Sequence, residues 1–242
     1  MTPGNATQPT EQPISLQDGE THAESAYRRL RTDIISGERE PGERLRVERL
    51  SKLYGIGTTP LREAMQRLCS DRLATAHGNR GFTVAPLEAD EFEDLNIART
   101  AIEVQAVTLS IQHGDEAWES TIVATSYRLQ KQDRFLAKNP GTALDAWEAA
   151  NAAFHDATVA ACGSVWLLRV RKLLMDQVER YRRASVCLHS SERDLASEHS
   201  AIMDAVLERD AARAREVITA HFDITARILL GDIAQDEAAG LD

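Results

Sequence analysis

Residues 57–68 read GTTPLREAMQRL, and this stretch predicts a short amphipathic helix with polar groups at its N-terminal end. Thr59 is a favourable N-cap, and the proline after it is tolerated in the first turn, where its missing N–H would be unpaired anyway. Leu61, Met65 and Leu68 recur at helical spacing and predict the buried side. The opposite side and the N-terminal end then expose polar side chains: Thr58, Thr59, Arg62, Gln66 and Arg67.

Two helices are predicted before this stretch. Residues 24–36 alternate apolar and charged positions at helical spacing, and Gly37 ends the pattern. Residues 47–54 form a second, shorter pattern with Gly55 as its expected C-terminal cap.

A β-hairpin is predicted after it. Two short runs, residues 73–77 and 82–85, flank a turn at residues 78–81 that has a glycine at each end. Three short helices followed by a hairpin are the plan of a winged helix-turn-helix. In the wing, Gly78 lets the backbone approach a ligand closely, and Asn79 and Arg80 supply polar side chains.

The rest of the chain predicts an all-α antiparallel bundle, because long helical patterns are joined by short connections. The six patterns cover residues 90–112, 116–136, 142–161, 165–188, 191–207 and 211–233. We therefore expect a mainly α protein with three parts. These are a disordered tail at 1–21, a winged helix-turn-helix domain at 22–87 and a helical domain at 88–236.

The charge is uneven along the chain. Residues 22–87 hold 12 Lys and Arg against 8 Asp and Glu, so they carry +4, whereas the whole chain carries −10. A basic N-terminal module on an acidic body suits a protein that presents one end to phosphates, although ordinary fluctuation would also account for it. No apolar run is long enough for a membrane span. Three cysteines without a CxxC pair favour a reduced, cytoplasmic setting.

The predicted third helix carries the chemistry expected of a DNA reader. A helix fits the major groove and contacts base edges through its N-terminal residues. Arg62 is able to reach a guanine or a phosphate, and the hydroxyls of Thr58 and Thr59 are able to reach either. The alternative is a solvated surface on a protein-interaction domain.

Three histidines fall on three different helices of the predicted bundle. His155, His199 and His221 would suit Zn, Ni or a similar divalent ion if they converged, and Asn151 precedes His155 by one helical turn. The spacing alone is weak evidence, because most isolated helical histidines are surface residues or satisfied core residues.

The motifs resemble the GntR family of bacterial regulators. The resemblance is carried by PGERL at 41–45, LSKLYGI at 50–56, TPLREA at 59–64 and GNRGFTV at 78–84. Together these cover most of residues 26–86. The family usually has Ser-Arg-Thr-Pro where this chain has GTTP, so an arginine that reads bases is replaced by Thr58. The resemblance therefore shifts base readout towards Arg62 and the wing.

The bundle resembles the FadR-type ligand-binding domain of that family, called FCD. Its metal-binding branch takes ligands from Asp-x-x-x-His and from two later histidines, which implies Asn151, His155, His199 and His221 here. Arg99 and Glu103 resemble the family's Arg-x-x-x-Glu feature. Arg99 is then expected to hold an organic-acid effector, with a structural ion pair to Glu103 as the alternative. Three groups on a later helix are expected at the surface: Arg180, Tyr181 and Arg183.

The function that follows is a homodimeric, sequence-specific DNA-binding repressor controlled by a small carboxylate. It would place two helices in successive major grooves of a double-stranded operator. Two alternatives stay open: an effector-independent DNA binder whose bundle only dimerises, and a metal-dependent hydrolase. Against the hydrolase, Glu198 is next to His199 in sequence and so points about 100° away on a helix.

Overall fold

The computed structural model of the chain describes residue 14, residues 16–189 and residues 193–239. Most of the predicted tail, residues 1–13 and 15, lies outside this range. The chain divides into two compact units, Met1–Pro86 and Leu87–Asp242.

The described part of the first unit contains three α-helices. Helix α1, His22–Ile35, begins with a capping box in which the Thr21 hydroxyl accepts from the Glu24 backbone N–H and the Glu24 carboxylate accepts from the Thr21 backbone N–H. Helix α2, Val47–Tyr54, ends at Gly55, whose φ of 67° is in the left-handed region that favours glycine. Helix α3 is Thr58–Ser70.

The sheet of the first unit has three strands, one more than the predicted hairpin. Strand β1, Arg44–Leu45, pairs antiparallel with β3, Phe82–Val84, which also pairs with β2, Ala74–Ala76. A two-residue strand has too short a pattern to be recognised in a sequence. It is fixed instead by long-range contacts, since buried Leu45 lies opposite Phe82.

The second unit is built from long helices among its described residues. They are α4 (Ala89–His113), α5 (Glu116–Leu136), α6 (Pro140–Val159), α7 (Val165–His189), α8 (Leu195–Leu207) and α9 (Ala211–Ala239). Helix α4 packs against α6, α7, α8 and α9, and α5 packs against α6 and α8. The mainly α architecture, a winged helix-turn-helix followed by a helical bundle, confirms the predicted fold class. No helix within the described ranges is long and apolar enough to cross a bilayer.

The surface position expected for α7 is wrong for Arg180 and Tyr181. Both are buried, at 5% and 2% exposure. The Tyr181 ring packs on Phe92 at a centroid distance of 4.6 Å, and its hydroxyl donates to the Glu88 carbonyl. This side of α7 faces α4, a tertiary contact that helical periodicity alone does not reveal.

Candidate functional site

The N-terminal end of α3 exposes its polar side chains. The helix begins at Thr58 and its N-cap is Gly57, so the prediction of Thr59 as the cap is wrong. The first turn closes from the Leu61 N–H to the Gly57 carbonyl, and no side chain caps it. The Thr58 and Thr59 hydroxyls are therefore not used for capping.

Helix α3 separates a buried side from an exposed one. Leu61, Met65 and Leu68 have no exposed surface and pack into the core of the first unit. At 100° per residue, the predicted DNA-contacting side chains fall within an arc of about 100° on the other side. All four are exposed: Thr58, Thr59, Arg62 and Gln66.

Arg67 lies on a different face of α3. Its guanidinium sits 4.3 Å from the centre of the Tyr27 ring on α1, a cation–π contact within the unit. Arg62 is 58% exposed, and its nearest carboxylate, on Glu48, is 4.0 Å away. Two arginines on one helix thus have different surroundings.

The wing turn is a single 3-10 turn, Gly78–Arg80. Gly78 and Gly81 have φ values of 55° and 93°, so the turn uses backbone conformations that favour glycine. Arg80 is exposed. The backbone of Asn79 lies in this turn, but its side chain is outside the described part of the structure.

In the second unit, the three predicted histidines converge. His155 on α6, His199 on α8 and His221 on α9 each offer a nitrogen, and these atoms all lie within 4.8 Å of one another. Their exposures are 3%, 0% and 7%. The sequence predicted the residues, and the fold brings them together in a buried cluster.

Each histidine faces a carboxylate through its Nδ1 atom. The distances are 3.1 Å from His199 to Asp133 and 2.7 Å from His221 to Glu198. For His155 and Glu103 the distance is 3.6 Å. An ionised carboxylate only accepts hydrogen bonds, so the Nδ1 atoms of His199 and His221 carry the proton and leave their Nε2 lone pairs free. At His221 the contact to Glu198 is shorter than the 3.3 Å contact of the same Nδ1 to Arg193. The longer His155–Glu103 contact is not a hydrogen bond.

The carboxylates are themselves held in place. Glu103 accepts two hydrogen bonds from Arg171 on α7, at 2.6 and 3.1 Å. Asp133 accepts from the Trp147 indole at 2.7 Å. Glu198 accepts two from Arg193, at 2.7 and 2.6 Å. The ring orientations are therefore fixed by a second layer of polar contacts.

The electrostatics of the cluster favour neutral imidazoles at His155 and His221. Burial lowers the pKa of His155 to about 4, although Glu103 opposes the shift. Burial, followed by the neighbouring His199 and His155, lowers the pKa of His221 well below 6.5. Neutral imidazoles with free lone pairs are the form that binds a metal ion.

A buried nitrogen atom without a hydrogen-bond partner also supports metal binding by the cluster. The Nε2 atom of His199 is buried and has no hydrogen-bond partner among the described residues. Such an orphaned acceptor costs free energy unless a ligand satisfies it. Asn151 is also buried, at 4% exposure, one helical turn before His155. The donor set thus fits a divalent ion of the zinc or nickel type.

Arg99 is buried without a carboxylate partner in the described structure. It is 3% exposed, donates to the Asn96 side chain and the Phe222 carbonyl, and stacks 4.1 Å from the centre of the Phe222 ring. Burial, with Arg182 nearby, lowers the pKa of Arg99 to about 9, so it stays charged at neutral pH.

The alternative of an Arg99–Glu103 ion pair is wrong, because Glu103 is paired with Arg171. Sequence reasoning also missed Asp133, and it did not assign Glu103 and Glu198 to the histidines that they contact. Asp133 lies 66 residues from His199, and no local signal marks it. Glu198 does point away from His199, but it points to His221 on the next helix, a contact that only the fold creates.

Two family models match the chain. The model of the FCD domain matches residues 94–224, and that of bacterial regulatory proteins of the gntR family matches residues 22–84. The two matches fall on the two compact units in turn.

Similar proteins match over most of their length. The HTH-type transcriptional repressor GlaR of Escherichia coli (strain K12) is 38% identical over 199 residues, covering 81% of this chain and 90% of that protein. The uncharacterized HTH-type transcriptional regulator BphR of Paraburkholderia xenovorans (strain LB400) is 33% identical over 217 residues, covering 90% and 89%. Among solved structures, E. coli McbR/YncC has a TM-score of 0.74 at 18% identity, covering 88% of this chain and 99% of that one, and it shows the shared fold.

Proposed function

The chain belongs to the GntR family as a transcriptional regulator with an FCD domain, and on that premise we propose that it is a homodimeric repressor released by a small carboxylate. The proposal has a DNA half, binding to an operator, and an effector half, control by a small carboxylate. The observation that carries the effector half is the buried, charged Arg99, which has no carboxylate partner among the described residues. The sign of regulation rests on the relative GlaR, which is named a repressor. The family assignment makes the protein a regulator rather than an enzyme.

The DNA half rests on the exposed end of α3 and on the wing. Arg62 contacts a base edge or a phosphate in the major groove, while Thr58 and Thr59 donate from the first turn. Gln66 lies one turn further along, and the wing contributes Gly78, Asn79 and Arg80. Because Thr58 replaces the arginine usual in the family, the operator differs from the usual family pattern.

Selection from a random-sequence duplex pool tests the DNA half. The enriched sequence is expected to be palindromic and to differ from ordinary family operators. Arg62→Ala then weakens binding to it by about 1 to 3 kcal/mol if Arg62 contacts a base edge. Arg67→Ala is the matched control, because Arg67 packs on Tyr27 on another face of α3. Equal effects of the two substitutions would remove Arg62 from the base-reading set.

The effector half combines Arg99 with the histidine cluster. A guanidinium binds a carboxylate through two parallel hydrogen bonds, and the Nη1 atom of Arg99 has no acceptor among the described residues. His155, His199 and His221 would hold a Zn or Ni ion, with the neutral oxygen of Asn151 as a fourth ligand. When bound, the ion would act as a Lewis acid that polarises oxygens of the carboxylate.

Metal analysis by mass spectrometry is the first test of this half. The expected result is about one ion per chain, lost in His199→Ala and retained in His113→Ala, in which an exposed histidine is removed. The melting temperature is then expected to rise with small organic acids, and Arg99→Gln removes that rise. A protein that lacks the ion yet responds to acids would be a metal-free sensor. One that responds to neither would have a bundle that only dimerises.

A further inference from the structure

A groove on the first unit is lined by arginines that come from four different segments. Its volume is about 440 Å³. Arg62 enters it from α3 and Arg80 from the wing turn. Two more arginines, Arg44 and Arg46, enter from β1 and from the residue that caps α2. Arg44 belongs to the PGERL motif at 41–45, but neither arginine was among the residues predicted to contact DNA.

The strand conformation explains why Arg44 and Arg46 act together. Successive side chains of an extended segment point to opposite faces, so residues two apart share a face. Leu45 between them is buried, at 2% exposure, and lies opposite Phe82 of β3. Burying Leu45 therefore turns both arginines outwards into the groove.

The groove has an excess of positive charge. Glu48 is the one acidic residue in its lining, against four guanidiniums. It approaches Arg62 at 4.0 Å, whereas Arg44, Arg46 and Arg80 have no ion pair within the described part of the chain. This differs from Arg28, Arg39 and Arg183 elsewhere, which are paired with carboxylates.

The groove also lies between the two elements proposed to contact DNA. Its walls include Arg62 near the start of α3 and Gly78 and Arg80 of the wing. A duplex that contacts both elements must carry its backbone across the space between them. Phosphate contacts fix the position of a protein on DNA, while base contacts give specificity.

We infer that this groove is a binding site for DNA backbone phosphates and that Arg44 and Arg46 are its principal ligands. The inference rests on the proposed DNA-binding function and adds residues to it. The two arginines supply sequence-independent affinity and set the register in which α3 meets the bases. Glu48 opposes this binding, because its carboxylate faces the same phosphates.

The salt dependence of binding to a mixed-sequence duplex of about 30 base pairs tests the inference, since each phosphate contact adds about 0.9 to the slope of log K against log salt. Arg44→Gln/Arg46→Gln is expected to lower that slope by about 1.8 and to reduce affinity about 50-fold near 0.1 M salt. Lys52→Gln is the control: it removes one exposed charge of α2 outside the groove, and its slope and affinity are measured in the same way. Glu48→Gln is expected to raise affinity about fivefold.

The outcomes separate the inference from the function on which it rests. If the wild-type chain binds the duplex and the double variant shows no greater change than Lys52→Gln, the groove is not a phosphate site, while the DNA-binding function stands. If the wild-type chain binds no duplex at any salt concentration, both proposals are overturned. Tighter binding to an RNA duplex of the same sequence would overturn the choice of DNA. The substituted side chains are exposed, so unchanged melting temperatures are expected for all variants.

Discussion

The arginines around the groove of the first unit and those around the histidine cluster of the second unit lie in opposite environments. Around the groove of the first unit, Arg44, Arg46 and Arg80 are exposed and have no carboxylate partner among the described residues. Around the histidine cluster of the second unit, Arg171 is buried and paired with Glu103. The free-energy cost of removing a charged side chain from water is therefore incurred when the second unit folds around the histidine cluster. It does not arise for the exposed arginines of the groove.

The difference matches the size of the ligand proposed for each unit. A polyanion such as DNA spans many exposed charges, and salt screens its interaction with them. A small ligand needs few groups held at fixed positions, which burial and hydrogen bonding provide. Substitutions in the second unit should therefore affect stability and ligand geometry, and substitutions in the groove should affect salt-dependent affinity.

Removing Arg171 is expected to give the largest effect. Arg171→Met leaves the Glu103 carboxylate buried and without its cation, which should lower the free energy of unfolding by about 3 to 5 kcal/mol. Urea unfolding followed by tryptophan fluorescence reports on the second unit alone, because all three tryptophans lie there. Arg183→Met is the control, since its partners Asp145 and Glu179 are 89% and 25% exposed and stay in contact with water without it, and it should cost less than about 1 kcal/mol. Equal losses would contradict the contrast between buried and exposed pairs.

Asp133→Asn should weaken metal binding by about 10- to 100-fold. Trp147 donates to Oδ1 of Asp133 and His199 contacts Oδ2, so the amide places a donating NH2 group at one of these positions. Because the indole is only a donor, the amide oxygen stays on Trp147 and the NH2 group faces Nδ1 of His199. His199 then moves its proton to Nε2 and loses the free lone pair. Competition with a chromophoric chelator measures the affinity, and nitrogen NMR of the metal-free protein reports the tautomer. Asp145→Asn is the exposed control, and an unchanged tautomer in Asp133→Asn would refute the positioning role.

The smallest expected effect is a pH dependence in the metal-free protein. The pKa of His155 is about 4 in the folded chain, below its ordinary value of 6.5, so between these values only the unfolded chain is protonated. Stability is therefore full above pH 6.5 and falls on acidification, by about 1.4 kcal/mol at pH 5.5 from this residue. Urea midpoints across this range measure it. His155→Gln should reduce the dependence to the part that His221 contributes, and His113→Gln should preserve it; a slope unaffected by His155→Gln would contradict the assignment.

The sequence predicts what depends on local spacing. The amphipathic pattern of α3 gives its buried side from Leu61, Met65 and Leu68, and the glycines at 78 and 81 give the wing turn. The order of helices and the three histidines follow in the same way. The Thr59 cap fails because Gly57, in an extended conformation, closes the first turn without a side chain.

What the sequence leaves open is set by contacts between distant segments. Helical spacing places Glu103 beside Arg99, yet the packing of α4 on α7 brings Glu103 into an ion pair with Arg171, 68 residues away. Asp133 belongs to α5 and has no motif that connects it to α8. Arg44 and Arg46 become neighbours of Arg62 and Arg80 only when β1 joins the sheet.

The complete burial of His199 has a kinetic consequence. Its exposure is 0%, so no solute reaches its Nε2 atom by collision with the folded surface. Entry and exit follow the opening of the surrounding helices, and such local opening occurs on timescales of about microseconds to seconds. The residence time of anything bound at this atom is therefore set by how often the surrounding helices open. A substitution that loosens α8 should shorten that residence time even when every residue that contacts the bound species is unchanged.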